Sequence, residues 1–353
     1  MRVGLDATPL LGPRTGIGRY TAGLLAALAG GPDELVATAF TFRGRGTLPA
    51  QVPDGVRIAA RPAPARALQE AWARWEWPPV ELLAGKIDVF HATNYVLPPL
   101  RHARGVVAIH DLNFLLRPGT VTAASARLRE LLPRSVQRAG AITVLTEAMA
   151  GQVQELYRPR VPVVVTSVGV DEGWFGAVGP APELRGRLRL PASYVLFVGT
   201  LEPRKDLPTL LAAHAQVPGA PPLVLVGPPG WGAQVNVTGC VATGFLPEDE
   251  LRAVVAGASV LVVPSLDEGF GIPVAEALAC GTPVVASDIP VLREVGGAVA
   301  RYAQVRSVDG FAAAIEAALS DPGDAAARRA WARQFTWDRC AAESRRAYAL
   351  AVG

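Results

Sequence analysis

The chain has 353 residues, 50% of them hydrophobic and 18% charged. That excludes a disordered polymer and argues for two globular domains rather than one. A formal net charge of +3 is too small to argue for a nucleic-acid partner, and no apolar run reaches the ~18 residues of a membrane span.

The charge is uneven. Residues 1–180 carry 19 Lys+Arg against 14 Asp+Glu, a balance of +5, and residues 181–353 carry 15 against 17, a balance of −2. The first half therefore suits an anionic partner better than the second. Cys240, Cys280 and Cys340 form no Cys-x-x-Cys pair and read as free thiols of a reducing compartment. Met1-Arg2 leads straight into a strand with no signal-peptide core, so the expected location is the cytoplasm.

Val3 to Ala7 reads as an opening strand, and Leu11 to Arg19 as a loop carrying Gly12, Gly16 and Gly18. Tyr20 to Ala29 follows as a helix, from apolar residues at helical spacing. Strand, glycine loop and helix suggest a Rossmann-like unit, although the glycine spacing is not the dinucleotide fingerprint. Leu35 to Phe42 and Val56 to Ala60 are further strands. A helix predicted over Arg66 to Trp77 sets Leu68, Trp72 and Trp75 near one face, as core residues.

Asp88 to His91 is a strand that runs into a loop at its C-terminal lip, where open α/β sheets take ligands. Asn94 and Tyr95 in that loop are acceptor-side candidates. Val106 to Ile109 ends at a second such lip, in His110-Asp111. An imidazole there can hydrogen-bond a hydroxyl, while Asp111 orients the ring or caps the next segment. Thr122 to Gln137 reads as one basic amphipathic helix with Arg127, Arg129 and Arg134, and Arg138 just beyond. Such a face suits anionic lipid and solvent equally. Ala141 to Leu145 is another strand, and Gly176 to Pro182 has the composition of a linker.

A second α/β unit opens with Tyr194 to Gly199. The following turn, Thr200 to Leu207, sets Arg204 beside Lys205, a fork and a point charge that suit a diphosphate. Leu223 to Gly227 is a strand. Pro228 to Ala233 then leads directly into a strand expected over Val235 to Thr238, away from the phosphate motifs. Phe245 offers an apolar ring after Gly244. Glu248-Asp249-Glu250 follows Pro247 in a first helical turn, where acidic residues are ordinary compensation of the helix dipole. No Asp-x-Asp occurs, so no catalytic metal is expected.

Val260 to Val263 reads as a buried strand. The loop Asp267 to Gly271 and a helix opening near Pro273 follow, with Gly281 as a left-handed cap. The loop and helix N-terminus form a phosphate seat. Thr282 to Ala286 is the next strand. Helices over Val291 to Val295 and Val308 to Leu319 precede a C-terminal run with Trp331, Phe335, Trp337 and Tyr348.

The run Glu268-Gly269-Phe270-Gly271-Ile272-Pro273-Val274-Ala275-Glu276 and its continuation through Cys280-Gly281-Thr282-Pro283 resemble the signature of the retaining GT-B glycosyltransferases of glycosyltransferase family 4. Glu202-Pro203-Arg204-Lys205, a Gly16-Ile17-Gly18-Arg19-Tyr20 loop and Gly169-Val170-Asp171 strengthen the resemblance, which spans nearly the whole chain. It implies two Rossmann-like, doubly wound parallel-sheet domains facing a cleft. Residues 1–178, completed by a C-terminal helix over about 331–353, would bind the acceptor, and residues 179–330 the donor.

The implied reaction is transfer of a sugar, such as mannose or another hexose, from a nucleoside diphosphate sugar to a glycan, lipid-linked or small-molecule hydroxyl. It would proceed with retention, by a metal-independent same-face mechanism, without a cofactor. His110 and Glu268 would face the transferred sugar. Gly16, Gly199, Arg204, Lys205, Phe270 and Gly271 would hold the diphosphate, and Phe245 and Glu276 the nucleoside. A hydrolase reading of the paired glutamates is disfavoured by the phosphate setting. A non-catalytic sugar-nucleotide-binding subunit and a GT-B sugar-nucleotide epimerase are the alternatives.

Overall fold

The computed structural model describes every residue except 13–15, 42–44, 63–64 and 233–234. The chain forms two compact units. Met1–Leu116, Ala123–Gly169 and Thr336–Gly353 make the first, and Arg117–Thr122 with Val170–Phe335 the second. The division falls at Gly169/Val170 and Phe335/Thr336, where the sequence suggested 178/179 and about 331. Its cause is local. The Val170 N–H donates to the Phe335 carbonyl at 3.0 Å, and the short helix Glu172–Phe175 buries Trp174 completely. The chain is therefore already packed ahead of Gly176 to Pro182, the segment with linker composition.

The first unit is built on a seven-stranded sheet. Its strands are β1 (Arg2–Asp6), β2 (Glu34–Phe40), β3 (Arg57–Arg61), β4 (Val89–Ala92), β5 (Arg104–Ile109), β6 (Ala141–Val144) and β7 (Val163–Val165). All pair in parallel, in the order β3-β2-β1-β4-β5-β6-β7. The second unit repeats the plan with β8 (Val195–Val198), β9 (Leu223–Val226), β10 (Val241–Gly244), β11 (Val260–Val263), β12 (Val284–Ser287) and β13 (Arg301–Ala303). Their order is β10-β9-β8-β11-β12-β13, again parallel.

Strands β4, β6, β9, β11 and β12 are buried along their whole length, as a parallel sheet covered on both faces requires. Each order reverses once, between β1 and β4 and between β8 and β11. Such reversals open a crevice at the C-terminal strand ends.

Helix Trp337–Val352 closes the first unit, packing on helix Gly16–Ala29 and across β4 to β7. The approach is close: a Cβ on Gly23 would fall 2.2 Å from the Trp337 ring. Tyr348 is fully buried, with its hydroxyl 2.9 Å from His91 Nδ1.

Four expectations change. Helix Gly16–Ala29 begins inside the expected glycine loop, so Gly16 opens the helix, while residues 13–15 of that loop lie outside the described residues. Helix Ala65–Arg74 ends before Trp75, which is 70% exposed where Trp72 is core at 4%. The basic helix is split into Ala123–Ala126 and Leu128–Arg138, and three of its four arginines are used internally, Arg134 staying exposed. Arg127 pairs with Glu70, and Arg129 donates to the Phe114 carbonyl at 2.5 Å. Arg138 donates to the Leu97 and Trp72 carbonyls and to Glu76.

Finally, residues 235–238 form no strand. The edge strand is β10, and the connection before it does not lie away from the phosphate motifs. Leu201 bridges Pro229, and a Cβ on Gly230 would fall 2.3 Å from the Leu201 carbonyl oxygen.

Candidate functional site

In the second unit, the ends of β8 and β11 flank the reversal in strand order, and Gly199, Arg204, Lys205, Glu268, Phe270 and Gly271 lie on the two loops that leave them. Pro203–Lys205 makes one 3₁₀ turn after β8. Its Arg204 carbonyl accepts from the Leu266 N–H at 2.8 Å, which stitches the loop after β11 to it. Gly199 leaves β8 with its N–H on the Val226 carbonyl at 2.9 Å.

These stitches bring Arg204, Lys205 and Glu268 into one buried network. Glu268 is 6% exposed. Its Oε1 accepts from Lys205 Nζ at 2.6 Å and from the Ser265 hydroxyl at 2.7 Å, and its Oε2 from Arg204 at 3.0 Å. Arg204 also donates to the Asp267 carbonyl at 3.0 Å and pairs with Glu202 at 2.5 Å. Burial alone would raise the Glu268 carboxyl, but Lys205 and Arg204, with the Lys205 and Ser265 hydrogen bonds, hold it down to about 2. Glu268 is therefore an anion at neutral pH.

Counting acceptor sites separates the roles. A carboxylate offers about four lone-pair directions, and three are filled, so Oε2 keeps one for a ligand hydroxyl. Lys205 has three N–H donors and spends one on Glu268, leaving two for an incoming anion. Arg204 is committed to Glu202, Asp267 and Glu268, so it positions the carboxylate more than it offers charge.

Helix Ile272–Cys280 begins just past this network. Its N-cap Gly271 has φ 91°, a left-handed conformation, and a Cβ there would meet Leu292 at 2.6 Å. Only glycine turns the chain this sharply into a helix whose first N–H groups face outward along its axis. Phe270 anchors the loop from below, edge to face with Phe335 at 5.4 Å, a contact that adds about 0.5–1.5 kcal/mol to its burial. The Phe270 side chain is thus core, and its backbone is what the loop presents. Glu276 is 2% exposed within this fully packed helix. The ring of Phe245, after β10, is 56% exposed.

In the first unit, Asn94, Tyr95, His110 and Asp111 follow β4 and β5 beside the other reversal. His110 is 6% exposed. Its Nε2 lies 2.6 Å from the Thr93 carbonyl; a carbonyl only accepts, so Nε2 carries the proton and Nδ1 the lone pair. Burial lowers the His110 pKa, and the ring is neutral. Tyr20 and Tyr95 pack edge-on against it, at 5.0 and 5.6 Å between ring centres.

The ring is thus oriented by Thr93 and not by Asp111. Asp111 Oδ1 accepts from the Asn113 N–H at 3.2 Å, and its own N–H donates to the Tyr95 hydroxyl at 3.0 Å. Tyr95, at 4% exposure, supports His110 from inside. Asn94 is half-buried. Gly16 is exposed at the start of its helix.

Sequence reasoning missed Glu202, Ser265 and Thr93, the residues that hold Arg204, Glu268 and His110. Ser265 sits three residues before Glu268, and that spacing was the available signal. Among the described residues no group of three or more His, Cys, Asp or Glu is placed to hold a metal. Glu250 pairs with Arg187 and Glu248 with Arg252, so two of that acidic trio are spent on ion pairs. No helix among the described residues is long and apolar enough to cross a membrane.

Two doubly wound units, a buried Glu268–Lys205–Arg204 network at one strand-order reversal and a closing helix that packs on the first unit define a nucleotide-binding protein of GT-B type. Residues 192–321 match the family model described as glycosyl transferases group 1, and residues 15–169 match the glycosyl transferase 4-like domain. The O-antigen chain mannosyltransferase B of Escherichia coli is 30% identical over 304 residues, 80% of this chain and 77% of that protein. The serotype-specific mannosyltransferase WbdA of Escherichia coli is 30% identical over 207 residues, 52% of this chain but 25% of that longer protein. Among solved structures, Anabaena HepE in complex with UDP and glucose superposes with a TM-score of 0.70 at 18% identity, covering 98% of each chain.

The chain belongs to the glycosyl transferases group 1 family, glycosyltransferase family 4, and is a glycosyltransferase of the hexosyltransferase class.

Proposed function

We propose that this enzyme transfers mannose from a nucleoside diphosphate mannose to a hydroxyl of a growing glycan, with retention at the anomeric carbon. The buried Glu268–Lys205–Arg204–Ser265 network at the end of β8 and β11 carries the reading. The kinship with the Escherichia coli O-antigen mannosyltransferase supports mannose and a glycan acceptor.

The chemistry follows from what each group has left to give. Breaking the sugar–phosphate bond builds negative charge on the departing diphosphate. The two remaining Lys205 donors and the outward N–H groups at Phe270, Gly271 and the start of helix Ile272–Cys280 meet that charge, which is the largest source of rate in such sites. Glu268 takes a sugar hydroxyl on its remaining Oε2 direction. Arg204 keeps the carboxylate in place and ionised, and Gly199 gives the diphosphate room at the end of β8.

Glu276 binds the ribose hydroxyls and Phe245 the base. From the first unit, His110 accepts a sugar hydroxyl at Nδ1, Asn94 and Asp111 serve the acceptor side, and Gly16 contributes a helix-end N–H to the diphosphate. Among the described residues no side chain has the setting of a nucleophile. The acceptor proton passes to the leaving phosphate on the same face of the sugar.

Purified protein incubated with GDP- and UDP-linked mannose and glucose, and a mannose-terminated oligosaccharide, tests the reading. Transfer of mannose is expected. Transfer of glucose alone, or donor turnover without a glycan product, would remove it.

A further inference from the structure

Asp6 ends β1, directly beside the reversal of strand order between β1 and β4. Neither the signature nor the site described above uses it. The ends of three strands meet here on one residue. The Thr93 hydroxyl, just past β4, donates to the Asp6 carbonyl at 2.5 Å, and the Thr93 carbonyl accepts from His110, just past β5, at 2.6 Å.

The Asp6 side chain is half-buried. Its Oδ1 accepts from the Thr8 N–H at 2.9 Å. Thr8 is its partner, and no Arg or Lys pairs with it among the described residues. Burial raises its carboxyl above the usual carboxylate range, against the opposing Thr8 bonds.

A turn cap does not explain an aspartate here. Asparagine would accept the same Thr8 N–H, tolerate the same turn and carry no charge to desolvate. A carboxyl at the ligand crevice of a parallel sheet with no cation beside it among the described residues costs stability, and a group placed at such a cost points to a binding role. Among the described residues only Thr8 hydrogen-bonds this carboxyl, through its N–H and its side chain, so the two oxygens keep further acceptor directions.

We infer that Asp6 is an acceptor-positioning residue, whose carboxyl accepts hydrogen bonds from hydroxyls of the incoming acceptor sugar alongside His110. Two neighbouring pyranose hydroxyls match the spacing of the two carboxyl oxygens. The polar floor is already rigid, because Thr93 fixes both the Asp6 backbone and the His110 ring. The inference rests on the reading of the enzyme as a glycan-extending transferase, and it adds the group that holds the acceptor.

Asp6→Asn and Asp6→Ala separate the two explanations. The amide oxygen of Asp6→Asn keeps the Thr8 bond, and Asp6→Ala loses it. With a mannose-terminated oligosaccharide as acceptor, both variants are expected to raise the acceptor KM at least tenfold and to leave the donor KM unchanged. An acceptor KM for Asp6→Asn equal to that of the wild type, with only Asp6→Ala impaired, would reduce Asp6 to a turn cap. An equal rise in donor KM would also overturn the inference. If the wild type transfers nothing to this probe, the mannosyltransferase reading fails separately, and ligand-observed NMR of the oligosaccharide alone decides for Asp6. Binding weakened at least tenfold by Asp6→Asn supports the role; equal binding, or none to either protein, overturns it.

Discussion

Replacing Glu268 by Gln removes one charge and leaves the shape. Lys205 and Arg204 then face an amide, and on one side an NH₂ meets a cation's N–H where an oxygen stood. The cost can be reached by two routes. The folded carboxyl titrates at about 2, against 4.5 for the unperturbed group; at ~1.4 kcal/mol per unit this is about 3 kcal/mol. Removing one partner from a buried ion pair costs about 3–5 kcal/mol by general experience. For a unit of this size each kcal/mol lowers the melting temperature by about 2–4 °C, so a drop of roughly 6–12 °C is expected in the transition of the second unit. Turnover should fall about 10²- to 10³-fold, as when a charged hydrogen bond to a reacting group is lost. Scanning calorimetry and initial-rate kinetics on one preparation read both effects. A variant that melts within about 2 °C of wild type and keeps kcat/KM within about threefold would refute the network as both a structural and a catalytic centre.

Lys205→Ala should raise the donor KM and lower kcat together, by about 10²-fold in kcat/KM, with little change in acceptor KM; initial rates with each substrate varied in turn test this, and a purely acceptor-side effect would contradict it. Phe245→Ala should weaken nucleoside diphosphate binding by about 1–3 kcal/mol, the worth of one base-stacking contact; unchanged affinity in titration calorimetry would take the ring out of the site. Acid stability should fall in two stages. Buried His91, held down to about 3 by burial and by His110, stays neutral while the unfolded chain takes up a proton near 6.5, so stability present above 6.5 is lost at about 1.4 kcal/mol per unit as the pH falls. Glu268 adds its own loss below 4.5, where the unfolded carboxyl protonates and the folded one does not. Urea melts from pH 7 to 4 should show the first stage flattened in His91→Asn; an unchanged slope would refute the assignment.

Much of this was legible because parallel sheets write buried strands as short apolar runs. Val260–Val263 emerged at its observed bounds, and the left-handed cap at Gly281 was visible as a glycine ending an apolar helix. The turn into helix Ile272–Cys280 was legible for the same reason, since Gly271 and Pro273 are demanded by local backbone geometry. Long-range pairing was not legible. Nothing in Glu202-Pro203-Arg204-Lys205 tells that Arg204 is spent on Glu202 and Glu268, or that Lys205 spends one donor on Glu268 and keeps two. The Thr93–His110 bond joins two strands through a carbonyl that has no sequence signature. Arginines at helical spacing have the pattern of a surface face, whereas Arg129 and Arg138 reach inward to backbone carbonyls. The strand expected at Val235 to Thr238 was an apolar alternation too near the preceding turn to reach the sheet edge, which β10 takes instead.

The central claim is retention during transfer from a nucleoside diphosphate mannose. Proton NMR of the product formed with an α-linked donor and a mannose-terminated oligosaccharide reads the new anomeric centre directly. An α-linked mannose is the expected result; a β-linked product would contradict the same-face mechanism.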